Sequence, residues 1–291
     1  MTEMARLHVL VTGANGFIGR HLVAILLQRG HKIRAVGRDT EKARQLPWFN
    51  TVQWCCADVH DPHLDIAALT EGVDAMVHLA WPGLPHFNAK YHFEQTLFDD
   101  YRFLKAAVRA GLRRVLVTGT CFEYGLQNGP LSESMMTQPV TGYGLAKRTL
   151  LSFLQQLQVE EPFTLQWGRL FYLFGVGQNP SSLLASLDRA IDNGDEQFDM
   201  SSGEQLRDYL PVEQAAAYLA TVLEGRAINA VFNCCSGQPL SVRKLVESRV
   251  YARKASIQLN LGHYPYAAHE PMAFWGTTDL LHSLLEDNHV A

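Results

Sequence analysis

A glycine-rich turn near the start of the chain most strongly limits what this sequence can fold into. Gly13, Gly16 and Gly19 follow the apolar run Leu7–Val11 directly and begin the helical pattern Phe17–Arg29. Glycines at this spacing allow a tight turn and close backbone approach, and the helix N-terminus behind them faces the pyrophosphate of a dinucleotide. An ordinary strand-to-helix turn is the alternative interpretation. The strand and helix patterns on either side favour the dinucleotide site.

Short apolar runs alternate with longer helical patterns through the first half of the chain. This alternation is typical of βαβ units, and right-handed crossovers then give a doubly wound parallel sheet. We predict an α/β fold with a Rossmann domain over residues 1–170. Residues 171–291 are predicted to form a smaller, mainly substrate-binding part, with some segments returning to the sheet. The predicted strands are Leu7–Val11, Lys32–Val36, Thr51–Cys56, Ala75–Leu79 and Arg114–Thr118, and the predicted helices include Phe17–Arg29, Phe93–Ala110 and Tyr143–Leu157.

The composition excludes several classes of protein. The 291 residues are 47% hydrophobic and 19% charged, which excludes a disordered or fibrous chain. Lys and Arg number 25 against 29 Asp and Glu, with no block of like charge, so nucleic acid is not an expected partner. No apolar run approaches the roughly 20 residues that cross a bilayer, and no membrane span is expected. The five cysteines include two adjacent pairs without metal-knuckle spacing, which predicts buried, reduced thiols, no metal site and a cytoplasmic location.

The end of the second predicted strand distinguishes between nicotinamide cofactors. Gly37, Arg38 and Asp39 follow Val36, the last apolar residue of that strand. An acidic side chain there binds the ribose 2′-hydroxyl of NAD, whereas a cationic one accommodates the 2′-phosphate of NADP. Arg38 therefore favours NADP(H). The alternatives are NAD(H) bound through Asp39, if the strand runs further, and a role for Arg38 as a plain surface side chain.

Tyr143 and Lys147 lie four residues apart and therefore on one face of a predicted helix. A cation beside a phenol favours the phenolate, so Lys147 is expected to lower the pKa of Tyr143 and make it an acid and base near neutral pH. Such a pair is common on exposed helices. The catalytic interpretation of this pair is favoured here because the glycine-rich turn precedes the pair in the same chain.

These motifs, in this order, resemble the extended short-chain dehydrogenase/reductase family, in particular its nucleotide-sugar epimerases and reductases. Thr12–Gly19 resembles the family's opening T-G-x-x-G-x-x-G, and Tyr143 and Lys147 match its Y-x-x-x-K. The segment Thr118-Gly119-Thr120 resembles the one that supplies a catalytic hydroxyl, which the spacing to Tyr124-Gly125 assigns to Thr120.

The resemblance implies a catalytic set of Thr120, Tyr143 and Lys147. Thr120 would bind a sugar oxygen, Tyr143 would exchange a proton with it, and Lys147 would hold the nicotinamide ribose. Asp58 and Val59 resemble the family's adenine-binding pair. The implied cofactor-binding residues are Gly13, Asn15, Gly16, Phe17, Ile18, Gly19, Arg38, Asp58, Val59, Leu79, Ala80, Thr118, Tyr143 and Lys147.

The resemblance also implies where a sugar nucleotide binds. Arg169 and Arg207 resemble positions in the half that holds this substrate, and the planar guanidinium of Arg207 suits a diphosphate. The alternative for Arg207 is a structural salt bridge with a neighbour such as Asp208. The implied substrate-binding residues are Trp81, Thr120, Cys121, Phe122, Tyr143 and Arg207.

Departures from the family pattern narrow the expected function. The family's dehydratases carry Asp-Glu directly after the catalytic hydroxyl, whereas Cys121 and Phe122 follow Thr120, which disfavours elimination of water. Tyr172 and Thr96 stand where many epimerases have Asn. We expect an NADP(H)-dependent reductase of a nucleotide-linked 4-keto-6-deoxy sugar, assembled as a homodimer. The alternatives are an NAD-dependent nucleotide-sugar 4-epimerase, a reductase of a non-nucleotide carbonyl, and a dinucleotide-sensing regulator without turnover.

Overall fold

A computed structural model of the chain describes residues 6–266 and 271–286, in which strands and helices alternate. Through the first half, in chain order, the elements are β1 His8–Thr12, α1 Gly19–Gln28, β2 Lys32–Gly37, α2 Thr40–Arg44, β3 Gln53–Cys56, α3 Ile66–Thr70, β4 Ala75–His78, α4 Leu97–Arg109, β5 Arg114–Thr120, β6 Gly129–Leu131 and α5 Gly142–Glu160. They continue with β7 Thr164–Leu170, β8 Tyr172–Phe174, α6 Leu183–Asn193, β9 Gln197–Asp199, β10 Leu206–Pro211, α7 Val212–Glu224, β11 Ala230–Cys234, β12 Pro239–Ser241, α8 Val242–Ala252, β13 Gln258–Asn260, β14 Phe274–Gly276 and α9 Asp279–Glu286.

In the described part of the chain, seven strands form one parallel sheet in the order β11-β7-β5-β4-β1-β2-β3. From β1, the strands β2 and β3 are added towards one edge of the sheet, and β4, β5, β7 and β11 towards the other. The switch point therefore lies between β1 and β4, and open α/β sheets bind ligands there, beyond the carboxyl ends of the strands. The predicted doubly wound α/β fold is confirmed.

Both faces of this sheet are covered by helices. Val9 and Val11 of β1 pack in one apolar cluster with residues of α1 and α7, whereas Leu10 packs in a second cluster with residues of α4 and α5. Successive side chains of a strand point to opposite faces, and burial of both faces explains why the strands are apolar almost throughout.

The ends of several elements differ from the prediction. β5 continues two residues beyond Thr118, and α1 begins at Gly19 rather than Phe17, because the glycine-rich turn is closed by a bond of 2.9 Å from the Gly16 amide to the Gly13 carbonyl. The helix predicted from Phe93 begins with one π-helical turn at His92–Thr96.

The second half of the chain contributes to the large sheet and to smaller ones. β11 pairs with β7 in the large sheet, while the described strands outside it form the groups β12-β10-β8, β13-β9 and β14-β6. A separate apolar cluster including Leu187, Met200 and Val246 lies in this half. The boundary at residue 170 stays a prediction.

The cysteines were expected to be buried. Cys121, Cys234 and Cys235 are buried thiols, but Cys56 is exposed and Cys55 half-buried. The prediction is wrong for that pair because β3 is an edge strand of the sheet. Residues 6–266 and 271–286 contain no group of three or more His, Cys, Asp or Glu side chains that could hold a metal ion. In the same residues, no helix combines the length and the apolar character needed to span a membrane.

Candidate active site

A cavity of about 520 Å³ opens beyond the carboxyl ends of β1, β2 and β4, at the switch point of the sheet. Most of the predicted cofactor-binding residues line it: Gly13, Asn15, Gly16, Phe17, Ile18, Gly19, Arg38, Asp58, Val59, Leu79 and Ala80. Thr118, Tyr143 and Lys147 are not among the lining residues and lie buried behind it.

The glycine-rich turn forms the floor of the cavity. Gly13 has a φ of +64°, and a Cβ on it would lie 3.0 Å from the Ala80 amide nitrogen. No side chain caps the N-terminus of α1, and its first turn holds no acidic residue. A phosphate group can therefore approach the backbone amides at this helix start, so the residues present fit a dinucleotide.

One end of the cavity carries exposed charges, and we call Arg38, Asp39, Lys42 and Asp58 the charged end. The Arg38 guanidinium lies 3.5 Å from the Asp58 carboxylate, and the two side chains are 64% and 44% exposed. Asp39 caps α2 by accepting a bond of 2.9 Å from the Lys42 amide. A Cβ at Gly37 would lie 2.6 Å from the Asn15 side-chain oxygen, so a larger side chain at position 37 would require Asn15 to move.

Thr120, Tyr143 and Lys147 form what we call the reactive end. Thr120 is the last residue of β5, and its hydroxyl accepts a bond from the Phe122 amide. Tyr143 lies in the first turn of α5, where its amide donates to the Phe87 carbonyl at 2.8 Å. Trp81, which lines the cavity, contacts Tyr143 edge-on at 5.7 Å between ring centroids and therefore joins the reactive end to the cavity.

Burial controls the titration of the reactive end. Burial first, and then the charge of Glu123, raise the pKa of Tyr143 well above its usual value, while a hydrogen bond with Thr120 opposes the rise. Burial lowers the pKa of Lys147 to about 8, against the charges of Asp100 and Glu123, which raise it. The predicted lowering of the Tyr143 pKa by Lys147 is wrong, because burial desolvates the phenolate and the negative charge of Glu123 adds to the rise.

A buried ion pair supports the Thr120 turn. The Glu123 carboxylate accepts bonds of 3.0 Å from the Thr120 amide and the Trp167 indole, and its second oxygen lies 2.8 Å from the Arg169 guanidinium. Both charged side chains are almost completely buried. Arg169, which was expected on the substrate side by resemblance, is instead bound inside the protein.

Sequence reasoning missed a buried polar network beneath the cavity. Thr12 accepts bonds from the Leu79 and Ala80 amides, so its hydroxyl donates to Nδ1 of His78 at 2.9 Å. Nε2 of His78 lies 3.2 Å from Asp100, which is also bound by His60 at 2.6 Å.

Burial raises the pKa of Asp100, but His78 and His60 together lower it to about 2. Asp100 is therefore a carboxylate at neutral pH. The 40 residues that separate His60 from Asp100 in the chain gave no local signal for this contact.

The structure distributes the predicted substrate-binding residues over two regions. Cys121 and Phe122 follow Thr120, and the Phe122 ring lies 6.5 Å from Tyr143 and 6.3 Å from Tyr172. Arg207 is 3% exposed and lies over the Phe274 ring at 4.7 Å. Its guanidinium also donates to the Leu206 carbonyl at 2.9 Å, and its role towards a diphosphate stays a prediction.

Comparison with known proteins identifies relatives along almost the whole chain. A dTDP-6-deoxy-L-talose 4-dehydrogenase (NAD(+)) from Aggregatibacter actinomycetemcomitans is 28% identical over 93% of this chain and 99% of its own. A UDP-glucose 4-epimerase from Halalkalibacterium halodurans is 25% identical over 82% of this chain and 78% of its own. The solved structure of MoeE5 in complex with UDP-glucuronic acid and NAD superposes with a TM-score of 0.83, at 26% identity, covering 96% of this chain and 93% of the other.

The family model described as NAD dependent epimerase/dehydratase family matches residues 9–235. That range contains the glycine-rich turn, the charged end and the whole reactive end. The chain therefore belongs to the NAD dependent epimerase/dehydratase family, the enzymes of the extended short-chain dehydrogenase/reductase type.

Proposed function

We propose that this protein is an NADP(H)-dependent reductase of a nucleotide-linked 4-keto-6-deoxy sugar. The observation that carries the proposal is the set of Thr120, Tyr143 and Lys147, which lies buried behind the cavity and is joined to it by Trp81. The 28% identical relative is, by its name, a 4-dehydrogenase of a dTDP-linked 6-deoxy sugar. Oxidation of a C4 hydroxyl is the reverse of reduction of a C4 ketone, so one set of residues serves both directions.

Each residue of the reactive end has its own role in the reaction. The residues that line the cavity would hold a reduced nicotinamide cofactor, which would supply hydride to the carbonyl carbon. Thr120 holds the carbonyl oxygen with its hydroxyl, and Tyr143 donates its phenolic proton to that oxygen. The raised pKa of Tyr143 keeps the phenol protonated at neutral pH, which suits an acid in the reductive direction. The Lys147 ammonium stabilises the phenolate left behind, and acid catalysis of this kind contributes about 10²- to 10⁴-fold.

The charged end supports NADP(H) rather than NAD(H). No carboxylate stands at position 37, and the carboxylate of Asp39 is engaged in capping α2. Arg38 and Lys42 line the cavity there and offer positive charge to a 2′-phosphate. The NAD of the relative's name and of the solved MoeE5 structure belongs to those proteins. Titration of purified protein with NADPH and NADH tests this, and tighter binding of NADH would contradict it.

Product analysis tests the reaction itself. Purified protein is supplied with NADPH and with dTDP-, GDP-, CDP- or UDP-linked 4-keto-6-deoxy sugars in turn. We expect stoichiometric oxidation of NADPH and formation of a C4 hydroxyl with one of them. The UDP-glucose 4-epimerase among the relatives makes 4-epimerisation the second candidate. Nicotinamide retained through purification, with interconversion of C4 epimers and no net oxidation, would establish the epimerase instead.

A homodimer and a cytoplasmic location remain part of the proposal. Phe98 of α4 and Leu145 and Val159 of α5 are 54%, 45% and 76% exposed. These two helices resemble the pair through which members of the family form dimers, and both carry exposed apolar surface. Light scattering of the purified protein measures its mass, and a monomer at micromolar concentration would contradict the homodimer.

A further inference from the structure

His92 is a buried histidine that no motif assigned, and its ring contacts the reactive end. It is 0% exposed, and its ring centroid lies 5.5 Å from that of Tyr143. Nδ1 of His92 lies 3.1 Å from the indole nitrogen of Trp81, and Nε2 lies 3.0 Å from the His86 carbonyl. Both ring nitrogens are therefore occupied by partners within the protein.

The partners of His92 determine its tautomer. An indole N–H only donates, so Nδ1 of His92 accepts the bond from Trp81 and carries no proton. Nε2 then carries the proton and donates it to the His86 carbonyl. Burial lowers the pKa of His92; the hydrogen bond to the His86 carbonyl opposes this and the charge of Lys147 adds to it, so the neutral ring persists at neutral pH. The Trp81 indole is thereby held in one orientation.

Trp81 presents its ring face to the catalytic cation. Nζ of Lys147 lies 3.9 Å from the Trp81 ring centroid, well within the range of a cation–π interaction. Lys147 is 1% exposed, and no protein hydrogen bond to its ammonium occurs among the described residues. The indole face is therefore a principal contact that fixes where this cation stands.

The geometry points to His92 as a positioning residue: it holds the Trp81 indole against the Lys147 ammonium, and so fixes that cation beside Tyr143. This inference rests on the proposed roles of Tyr143 and Lys147. His92 has no exposed surface, so we expect a change at His92 to act on the reaction through its buried neighbours, with Trp81 as its hydrogen-bonded partner. Two charged groups also act on Lys147: Asp100 of α4 and Glu123, which follows β5.

Two variants of His92 separate its hydrogen bonds from its volume. His92→Phe keeps a ring but loses the acceptor for Trp81, and His92→Gln restores an acceptor. We expect His92→Phe to lower kcat on the order of tenfold, because a displaced cation no longer stabilises the phenolate. His92→Gln should recover most of that loss, and the KM for the nucleotide sugar should change much less than kcat.

The pH profile adds a readout that a merely structural role would not move. Loss of the indole face removes an interaction that favours the protonated amine. The alkaline limb of kcat should therefore shift to lower pH by about half a unit in His92→Phe. His63→Phe, the same change at an exposed histidine, is the matched control and should leave kcat and the pH profile unchanged.

Tryptophan fluorescence tests the contact without any substrate. Subtracting the emission of Trp81→Phe from that of the wild type isolates Trp81. We expect this difference to titrate near pH 8, where Lys147 loses its proton, and the titration to vanish in Lys147→Met. The pH dependence of this fluorescence difference should be weaker in His92→Phe and retained in His92→Gln.

Two results would overturn the role of His92. One is unchanged kcat in a folded His92→Phe protein, with folding checked by its thermal midpoint. The other is a fluorescence titration unaffected by His92→Phe. If instead Tyr143→Phe retained turnover, the proposed function would fail, while the fluorescence result would still decide the role of His92.

Discussion

The charged end of the cavity and the reactive end behind it differ most in their exposure to water. Arg38 is 64% exposed, whereas Lys147 is 1% exposed. Exposed charge pairs such as Arg38 and Asp58 are screened and contribute about 0–1 kcal/mol. Buried groups shift their pKa by whole units, as Lys147 does. The charged end can therefore discriminate between NADPH and NADH while contributing little to the stability of the fold. The reactive end can control proton transfer because water is excluded from it.

The largest effect should follow from removing the proton donor of the reactive end. Tyr143→Phe is expected to lower kcat by about 10²- to 10⁴-fold, because the phenolic proton donor is removed. Cofactor affinity should stay within a small factor of wild type, since Tyr143 does not line the cavity. Stopped-time product assays and cofactor titration measure the two quantities. Tyr101→Phe, a change outside the site, is the control, and equal turnover in both variants would contradict the assignment.

The next effect is a loss of activity in alkali, which we expect from the loss of the Lys147 proton. Burial lowers the pKa of Lys147 from 10.5 to about 8, so the ammonium is present below that pH and lost above it. We expect kcat to fall about tenfold for each unit above pH 8. Tyr143 remains protonated across this range because its own pKa is raised.

Lys147→Arg checks this origin of the alkaline limb. A guanidinium keeps its charge throughout the range, so the limb should disappear even if kcat is lower overall. A limb that persisted unchanged in Lys147→Arg would assign it to another group.

A smaller effect is expected at the charged end. Arg38→Ala should weaken NADPH binding about tenfold, as expected for loss of one charge-assisted contact to phosphate, and leave NADH binding nearly unchanged. Fluorescence titration of both cofactors at fixed ionic strength measures the ratio. Arg44→Ala, another exposed arginine on the adjoining helix, serves as the control. Equal weakening of NADH and NADPH by Arg38→Ala would show that the 2′-phosphate is not its partner.

The smallest effect should come from Asp39 of the charged end. Asp39→Ala removes the cap of α2 and should lower the free energy of unfolding by about 1 kcal/mol. NADH affinity should not change if the carboxylate serves only as a cap. Denaturant unfolding and cofactor titration measure both quantities. Weaker NADH binding with unchanged stability would instead give Asp39 the ribose contact.

Features carried by short stretches of sequence were predictable. The glycine-rich turn and the strands around it follow from residues that are neighbours in the chain, and the family model matched them. The strand ends were less well placed: β5 runs to Thr120 because pairing with β7 continues to that residue. A single sequence contains little information on where pairing stops.

Contacts between distant residues were not predictable. His60 and Asp100 are 40 residues apart, and Trp167 and Glu123 are 44 apart, yet each pair is hydrogen-bonded inside the protein. Arg169 was assigned to the substrate side by resemblance, and its position in the sequence does not reveal that Glu123 binds it. The exposure of Cys56 likewise depends on β3 being an edge strand.

The sequence by itself determined the α/β architecture, the family and the residue types at the two ends of the cavity, because these depend on local periodicity and on motifs. Only the tertiary structure decided the pKa values of those residues and the contacts that fix their positions. The direction of the Tyr143 pKa shift depends on how much water burial removes and on how close Glu123 comes, and both are set by the packing of segments far apart in the chain.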